Sequence, residues 1–321
     1  MMNKKSVFYI VLSLWIVFSG CSTTRNAIVT FKHDTENYKI DIILNDLYFT
    51  SLIYSDTLEK PCLFPIKTPS GKFITRGYPL EPRPFERTDH PHHVGLWFNF
   101  GDVNGIDFWN NSSAIAPDKK IHYGSVLLDT ILLADPTKGK LKTLSSWINF
   151  QGDTLLSEET TYIFSGIKNE YRFIERETRL TAMQEVTLRS NKEGLIALRV
   201  DKSFEEGNGT YRNRQGATGE AGVWGKRTPW VALRADKEGE IITIVILDHA
   251  QNPNYPGWPH ARGYGLFSMN NLAGEAMDKS SGPIEIKLQP GENITFTHKL
   301  IIGGDMSDEE INSMMHQFNR Q

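Results

Sequence analysis

The chain has 321 residues, a formal net charge of −3 and a hydrophobic fraction of 39%. A chain of this length can bury one large core, and its two cysteines do not suggest a disulfide framework. The slightly acidic balance argues against nucleic acid as a partner, because a nucleic-acid-binding face is usually basic.

The first predicted element is a secretion signal. Lys4 and Lys5 precede the apolar run 6–20, which is short for a membrane span and typical of a signal peptide. The run ends in FSGCS, which is similar to a bacterial lipobox with Cys21 as the lipidated residue. An uncleaved membrane anchor is the alternative interpretation.

The leader sets the expected organisation of the chain. We expect a lipoprotein signal peptide at 1–20, a tether at 21–34 and a single β-sandwich domain at 35–321. The protein would then be lipid-anchored in the cell envelope, with no other contact to the membrane. Because Ser22 gives no inner-membrane retention signal, the outer membrane is the expected location, facing the periplasm or the exterior.

Beyond the leader, most of the chain has the pattern of short β-strands. Half-alternating segments follow one another over 139–166, 171–190 and 194–205. The β-branched run IITIVILD, residues 241–248, predicts a strand that is buried on both faces. These patterns predict an all-β fold.

Two further elements are predicted near the C-terminus. Apolar residues alternate over 284–288 and again over 294–300, on either side of Pro-Gly-Glu-Asn, which predicts a β-hairpin. A single helix should then begin at Ser307, because Glu310 completes a capping box. Apolar residues recur at helical spacing after the cap and are expected to pack on the core: Ile311, Met314, Met315 and Phe318.

Two long irregular stretches, about 60–122 and 250–275, interrupt the strand pattern. Both are rich in Pro, Gly and Asn, and both contain His and Trp. Long loops in a compact β-domain are often functional, and aromatic residues in them have apolar surface to bury. We expect the functional site in these stretches.

The segment DHPHH, residues 89–93, carries the strongest chemical signal. Pro91 should hold His90 in an extended conformation, so that His90 and His92 point the same way and His93 the other. Two such imidazoles could bind a transition metal or transfer protons, and Asp89 could orient one of them. The alternative is that these histidines only satisfy buried loop carbonyls.

The second stretch, LDHAQNPNYPGWPHARGYGLF, could supply the opposite wall of a cleft. His249 follows the buried strand, and His260 has the same parity as Arg262, whose guanidinium could bind an anionic oxygen. A third segment, GATGEAGVWGKRTPW, places Glu220 among basic and aromatic residues as a general base or sugar ligand. The structural alternatives are a loop-stapling role for Arg262 and, for Glu220, a salt bridge to one of three arginines: Arg212, Arg214 and Arg227.

These observations define two candidate sets. The residues expected to carry catalysis are His90, His92, His249, His260, Glu220 and Arg262. The residues expected to contact substrate are Asp89, His93, Trp97, Trp109, Asn252, Trp258 and Tyr264. The sequence leaves the cofactor unknown, and a divalent metal could bind to the four catalytic histidines. The sequence lacks the G-x-S-x-G and H-E-x-x-H motifs of serine hydrolases and zinc proteases.

The segments DHPHHVGLWFNFGDVNGIDFW, GEAGVWGKRTPWVAL and LDHAQNPNYPGWPHARGYGLF together resemble an uncharacterised bacterial family often labelled "methane oxygenase PmoA". The resemblance covers roughly residues 35–305. The chain departs from the family where Pro259 separates Trp258 from His260, which leaves the position of that tryptophan open. We regard the label as misleading, because a membrane methane oxygenase subunit needs several spans and this chain has none after the leader.

Two segments also resemble galactose mutarotases: DHPHHVGLWFNF and the end LQPGENITFTHKL. This second resemblance implies a large twisted β-sandwich with a sugar-sized cleft and His/Glu acid–base chemistry on a sugar ring.

Three functions remain open at this stage. The first is an envelope enzyme that acts on a carbohydrate by epimerisation, elimination or hydrolysis. The second is a non-catalytic glycan-binding lipoprotein, which would show exposed aromatic rings and scattered histidines. The third is a purely structural envelope protein. The enzyme hypothesis requires that the two irregular stretches meet in space and that their histidines converge within hydrogen-bond or ligand distance.

Overall fold

The structure is a computed structural model that describes residues 27–55, 57–167 and 170–320. The expected signal peptide, Cys21 and the first part of the expected tether lie outside these residues. Within the described ranges, no helix combines the length and apolar character needed to cross a membrane.

Two eight-stranded antiparallel sheets make up the body of the protein. Sheet 1 contains, in spatial order, β1 (Val29–Asp34), β2 (Lys39–Leu44), β3 (Leu47–Ile53), β4 (Cys62–Leu63), β5 (Leu96–Phe100), β11 (Gly194–Arg199), β16 (Leu266–Asn270) and β15 (Trp258–Pro259). Sheet 2 contains, in spatial order, β12 (Gly209–Asn213), β13 (Trp230–Lys237), β14 (Glu240–Asp248), β18 (Asn293–Gly303), β9 (Tyr171–Ala182), β8 (Thr154–Ile167), β7 (Lys140–Ile148) and β6 (Ser125–Asp135).

Smaller elements complete the described chain. A separate two-stranded sheet pairs β10 (Val186–Arg189) with β17 (Glu285–Leu288). The α-helices are the short α1 (Gly219–Val223) and the C-terminal α2 (Asp308–Phe318). Short 3₁₀ helices lie at Pro117–His122, Lys202–Phe204, Gly274–Ala276 and Lys279–Ser281.

The core lies between the two sheets. Alternate residues of β5, such as Phe98, are buried in one hydrophobic cluster with alternate residues of β14, such as Ile244. The other face of β14 packs beneath α2, where Val245 and Phe318 share a second cluster. The prediction that the run 241–248 is buried on both faces is therefore confirmed, and so is the large β-sandwich with a C-terminal helix.

The C-terminal helix is also confirmed in detail. Ser307 and Glu310 form the reciprocal capping box. The buried residues Ile311, Met315 and Phe318 then recur along the face of α2 that covers sheet 2. The short helix α1 was not predicted.

The predicted hairpin over 284–300 is wrong. Both strands exist, but β17 pairs with β10, while β18 lies between β9 and β14. Alternation shows which face of a strand is buried and does not identify the strand beside it. The Pro-Gly-Glu-Asn segment therefore passes the chain from one sheet to another.

Two expected boundaries also need correction. Residues 29–34, placed in the tether from sequence, form β1 and pair along their whole length with β2. The two irregular stretches are not wholly irregular, because they contain β5 and β16. Both strands are next to β11 in sheet 1, and they support the site described below.

Candidate functional site

The outer face of sheet 1, turned away from sheet 2, carries the candidate site. Trp97 pairs with Ala197, and Ala197 pairs with Ser268, so the three side chains point to the same face. Phe98, the neighbour of Trp97, points into the core. Trp97 and Ala197 belong instead to a separate apolar cluster on the outer face.

The histidines of DHPHH lie in a tight turn above this face. The backbone N–H of His93 donates to the carbonyl of His90 at 3.0 Å, and His90 has a positive φ of 45°. The expectation of an extended His90 is therefore wrong. Arg76 holds the turn, because its Nη2 donates to the carbonyls of His90 and His93 at 3.0 and 3.2 Å.

Asp89 is fixed by two buried arginines. Its Oδ1 accepts from Arg76 Nη1 and from Arg199 Nη2, each at 2.7 Å. Its Oδ2 lies 3.2 Å from His90 Nδ1. Partial burial opposes ionisation of Asp89, but the charges of Arg199, His90 and Arg76 outweigh it and hold its pKa below the usual range. Asp89 therefore stays a carboxylate beside His90.

The turn histidines and Tyr264 form a group of packed rings, which we call the histidine cluster (Asp89, His90, His92, His93 and Tyr264). His90 stacks on His93 at 4.8 Å and on Tyr264 at 4.7 Å between ring centroids. His92 meets His93 edge-on at 4.3 Å. Tyr264 comes from the second irregular stretch, so the two stretches meet at this point.

Burial fixes the protonation states of three groups in the cluster. Burial, reinforced by the charge of Lys60, lowers the pKa of His92 to about 2. Burial also holds the pKa of His93 well below its usual range. Burial raises the pKa of Tyr264 to about 12. Near neutral pH His92 and His93 are therefore neutral and Tyr264 keeps its phenolic proton, so these groups can make hydrogen bonds but exchange protons poorly.

Arg262 and Glu220 come together, but as partners of each other. Arg262 Nε lies 3.2 Å from Glu220 Oε1, and the N–H of Gly263 donates to Glu220 Oε2 at 2.6 Å. The guanidinium of Arg262 lies 5.9 Å from the ring of Tyr264. Glu220 forms a salt bridge, but its partner is Arg262 and none of the three arginines considered from the sequence. This pair braces the chain next to Tyr264.

His260 and His249 lie apart from the turn. His260 is buried with its Nδ1 3.6 Å from Glu193 Oε2 and its ring edge-on to Trp224, and burial lowers its pKa to about 3. His249 packs against Phe318 of α2 at 4.9 Å. Among the described residues, neither of these histidines contacts the ring of His90 or His92, so the expectation that the histidines of the two stretches converge is wrong.

Asn252 belongs to a closed polar network under the second stretch, which we call the Asp248 network (Asp248, Asn252, Asn271 and His298). Asp248 accepts from Asn252 Nδ2 at 2.6 Å, from Asn271 Nδ2 at 3.0 Å and from the N–H of Gly257 at 2.7 Å. His298 Nε2 lies 3.0 Å from Asn271 Oδ1. Burial raises the pKa of Asp248 to about 6 despite these donors.

The tryptophans expected to stack on substrate are covered. Trp97 and Trp109 are fully buried, and Trp258 is 2% exposed. The guanidinium of Arg227 covers the ring of Trp258 at 4.6 Å. As described, these indoles form the floor and flank of the site, and their faces are not open to a sugar.

A metal centre on the four candidate histidines is not supported. Within the described residues, no group of three or more His, Cys, Asp or Glu side chains is arranged to hold a metal ion. His249 and His260 lie apart from the turn that carries His90 and His92, so the four histidines do not share one centre.

The sequence interpretation missed the two arginines that organise the cluster. Arg199 is the only charged residue in the otherwise apolar strand β11, and an isolated charge in a buried strand is an available signal for a built site. Arg76 lies in an irregular segment, where the sequence offers no comparable signal.

Solved structures with a related arrangement include a GalM/aldose epimerase homologue from C. elegans. It has 9% identity and a TM-score of 0.35, and the match covers 87% of this chain and 99% of that one. A heparan sulfate lyase HepC mutant from Pedobacter heparinus has 8% identity and a TM-score of 0.35, with 88% of this chain covered. The chain spans 36% of the length of that lyase. These distant similarities carry no information on the reaction of this chain.

None of the curated proteins compared with the chain matches it. The model of one protein family does match, over residues 39–316. Because this match spans most of the sequence, the chain belongs to the family of unknown function DUF6807.

Proposed function

We propose that the protein is a carbohydrate-active enzyme that transfers protons at the histidine cluster. One observation carries the proposal: the imidazole of His90, 38% exposed, lies between an ionised Asp89 and the ring of Tyr264. A carboxylate beside one nitrogen of an imidazole orients the ring and supports its protonated form during a reaction.

The neighbouring groups complement this dyad. His92 is neutral and can accept a hydrogen bond from a substrate hydroxyl, and the Tyr264 hydroxyl can donate a hydrogen bond to a substrate oxygen, while His90 beside Asp89 transfers the proton. Such a set can epimerise, eliminate or hydrolyse a sugar or an oxidised glycoside. Arg262, paired with Glu220, is a positioning residue beside Tyr264.

Carbohydrate is the substrate class that we favour. The resemblance of DHPHHVGLWFNF to galactose mutarotases supports it. The alternative, a non-catalytic glycan-binding lipoprotein, needs exposed aromatic platforms, and burial of Trp97, Trp109 and Trp258 argues against it.

The test is turnover in a screen of aldoses, uronic acids and keto-glycosides. His92→Ala should abolish turnover and leave the circular dichroism spectrum unchanged, whereas His249→Ala, remote from the cluster, should keep turnover. Full activity of His92→Ala would overturn the proposal that the histidine cluster is the active site. His260→Ala reports separately whether the site extends along the sheet toward Glu193.

We also propose that the protein is anchored in the cell envelope by a lipid on Cys21. The lipobox-like FSGCS supports this proposal. Metabolic labelling with a fatty acid should mark the wild type and not Cys21→Ala; equal labelling would contradict it.

A further inference from the structure

Lys60 is a buried ammonium beside the histidine cluster. The residue is 2% exposed, its Nζ donates to the carbonyl of Trp109 at 2.9 Å, and it lies 5.6 Å from the ring of Trp97. An ammonium has three donors, and this hydrogen bond uses one of them. Within the described part of the chain, no carboxylate lies at ion-pair distance from Lys60.

The nearest acidic residues are already engaged. Glu59 accepts from Lys120, Ser125 and Asn111. Asp107 accepts from two backbone N–H groups and one amide, which belong to Trp109 and Asn110. Neither carboxylate is therefore free to turn toward Lys60 without losing its own partners.

Lys60 differs from the other cations beside the cluster, because it has no carboxylate at ion-pair distance among the described residues. Arg76 and Arg199 both pair with Asp89. Burial lowers the pKa of Lys60 to about 7, although the charge of Asp107 acts in the opposite direction. A buried charge without a counter-ion is costly, and such arrangements concentrate at functional sites.

Lys60 opens onto a narrow pocket next to His92. The pocket is lined by Lys60, His92, Ser112 and Ser113 together with the apolar side chains of Pro79 and Val94. Glu59 also lines it, with its carboxylate paired to Lys120. Hydroxyl donors and an ammonium on one side, and a proton acceptor on the other, match a ligand that carries an anionic group.

We propose that Lys60 binds a carboxylate of the substrate in this pocket, so that the substrate of the histidine cluster is an acidic sugar. The inference rests on the proposed carbohydrate function and narrows its substrate class. The ion pair would supply the missing counter-charge and would place the sugar next to His92. A Lys60 that served only to bind the Trp109 carbonyl would need no anion.

The test compares charged and neutral sugars by isothermal titration calorimetry on the full chain. D-glucuronate and D-galacturonate are the probes, and D-glucose and D-galactose are their neutral counterparts. The uronates should bind the wild type, and Lys60→Met should weaken this binding about tenfold or more, as expected for a lost charged hydrogen bond. Lys287→Met removes the same charge from an exposed lysine of β17 and should leave binding unchanged.

The other outcomes separate the two proposals. Neutral sugars that bind the wild type and Lys60→Met equally well, in preference to uronates, would overturn the acidic-sugar inference and leave the acid–base proposal in place. Binding of no sugar would overturn both.

A second readout needs no ligand. If Lys60 is an unpaired charge in the absence of a ligand, Lys60→Met should have a higher melting temperature than the wild type without sugar. A lower melting temperature would assign Lys60 a structural role and overturn the inference. Lys60→Gln, which keeps a donor for the Trp109 carbonyl, gives the same comparisons if the methionine variant does not fold.

Discussion

The Asp-His pair at Asp89 and His90 and the pair at Asp248 and His249 are identical in sequence and differ in surroundings. Asp89 is 34% exposed and bound by two buried arginines. Asp248 is fully buried and bound by amide groups. The pKa is therefore lowered for Asp89 and raised for Asp248.

The difference shows that burial and the charge of the donors together decide whether an aspartate stays ionised. Cationic donors keep Asp89 ionised beside a half-exposed imidazole, which is a reactive arrangement. Neutral donors surround the buried Asp248, and its carboxylate fixes Asn252 and the backbone at Gly257 through hydrogen bonds. His249 accordingly packs on Phe318 and has no carboxylate to orient it among the described residues.

The largest expected effect comes from removing the carboxylate of Asp248. Asp248→Ala leaves the donors of Asn271 and Gly257 buried without an acceptor and leaves Asn252 Nδ2 with the Thr297 carbonyl alone among main-chain and carboxylate acceptors, and we expect a loss of about 4 kcal/mol in the free energy of unfolding. Urea denaturation measures it, with Asp118→Ala as the control because Asp118 is exposed. A loss no larger than that of the control would mean that the Asp248 network does not stabilise the fold.

The pH dependence of stability should sharpen the comparison. Because the pKa of Asp248 is about 6 in the folded protein and 3.8 in the reference state, the folded protein binds more protons between these values. The contribution of the Asp248 carboxyl group to the free energy of unfolding is full below pH 3.8. It is lost as the pH rises through 6, by about 3 kcal/mol in total. The difference in stability between wild type and Asp248→Asn should fall over this window, and a flat difference would contradict the raised pKa.

Asp89 should show the opposite sign. Its lowered pKa adds stability that is present above pH 3.8 and is lost as the pH falls through its folded pKa. Asp89→Asn should cost about 2 kcal/mol at pH 7, less than for a fully buried ion pair because Asp89 is partly exposed. Asp46→Asn is the matched control, since Asp46 is an exposed turn residue with positive φ that Asn adopts easily. Equal unfolding curves for the two variants would show that Asp89 is not the counter-ion of the arginines.

The sequence predicts the strands and the C-terminal helix because burial leaves a local period in the residues. The run 241–248 and the Ser307 cap are examples, and both are confirmed. Strand partners leave no such local trace, which explains the wrong pairing of β17.

Part of the site could be predicted from the sequence, because composition is a local signal, whereas the contacts that the fold creates are not local. DHPHH marked the functional segment through its composition, but the conformation of His90 depends on Arg76, which lies 14 residues earlier and is marked by no motif. The Asp-His dipeptides at 89–90 and 248–249 are identical in sequence, and only the fold brings Arg199 to one of them and Asn271 to the other. The meeting of the two stretches through Tyr264 could be anticipated; the separate positions of His249 and His260 could not.

The most direct test of the account follows the histidine side chains of the full chain by nitrogen-15 NMR during titration with D-glucose and D-glucuronate. Signals are assigned with His90→Gln, His92→Gln and His249→Gln. The account predicts that the His90 and His92 signals shift with at least one of these sugars while the His249 signal stays in place. Movement of His249 alone, or of no histidine, would contradict a carbohydrate site at the histidine cluster.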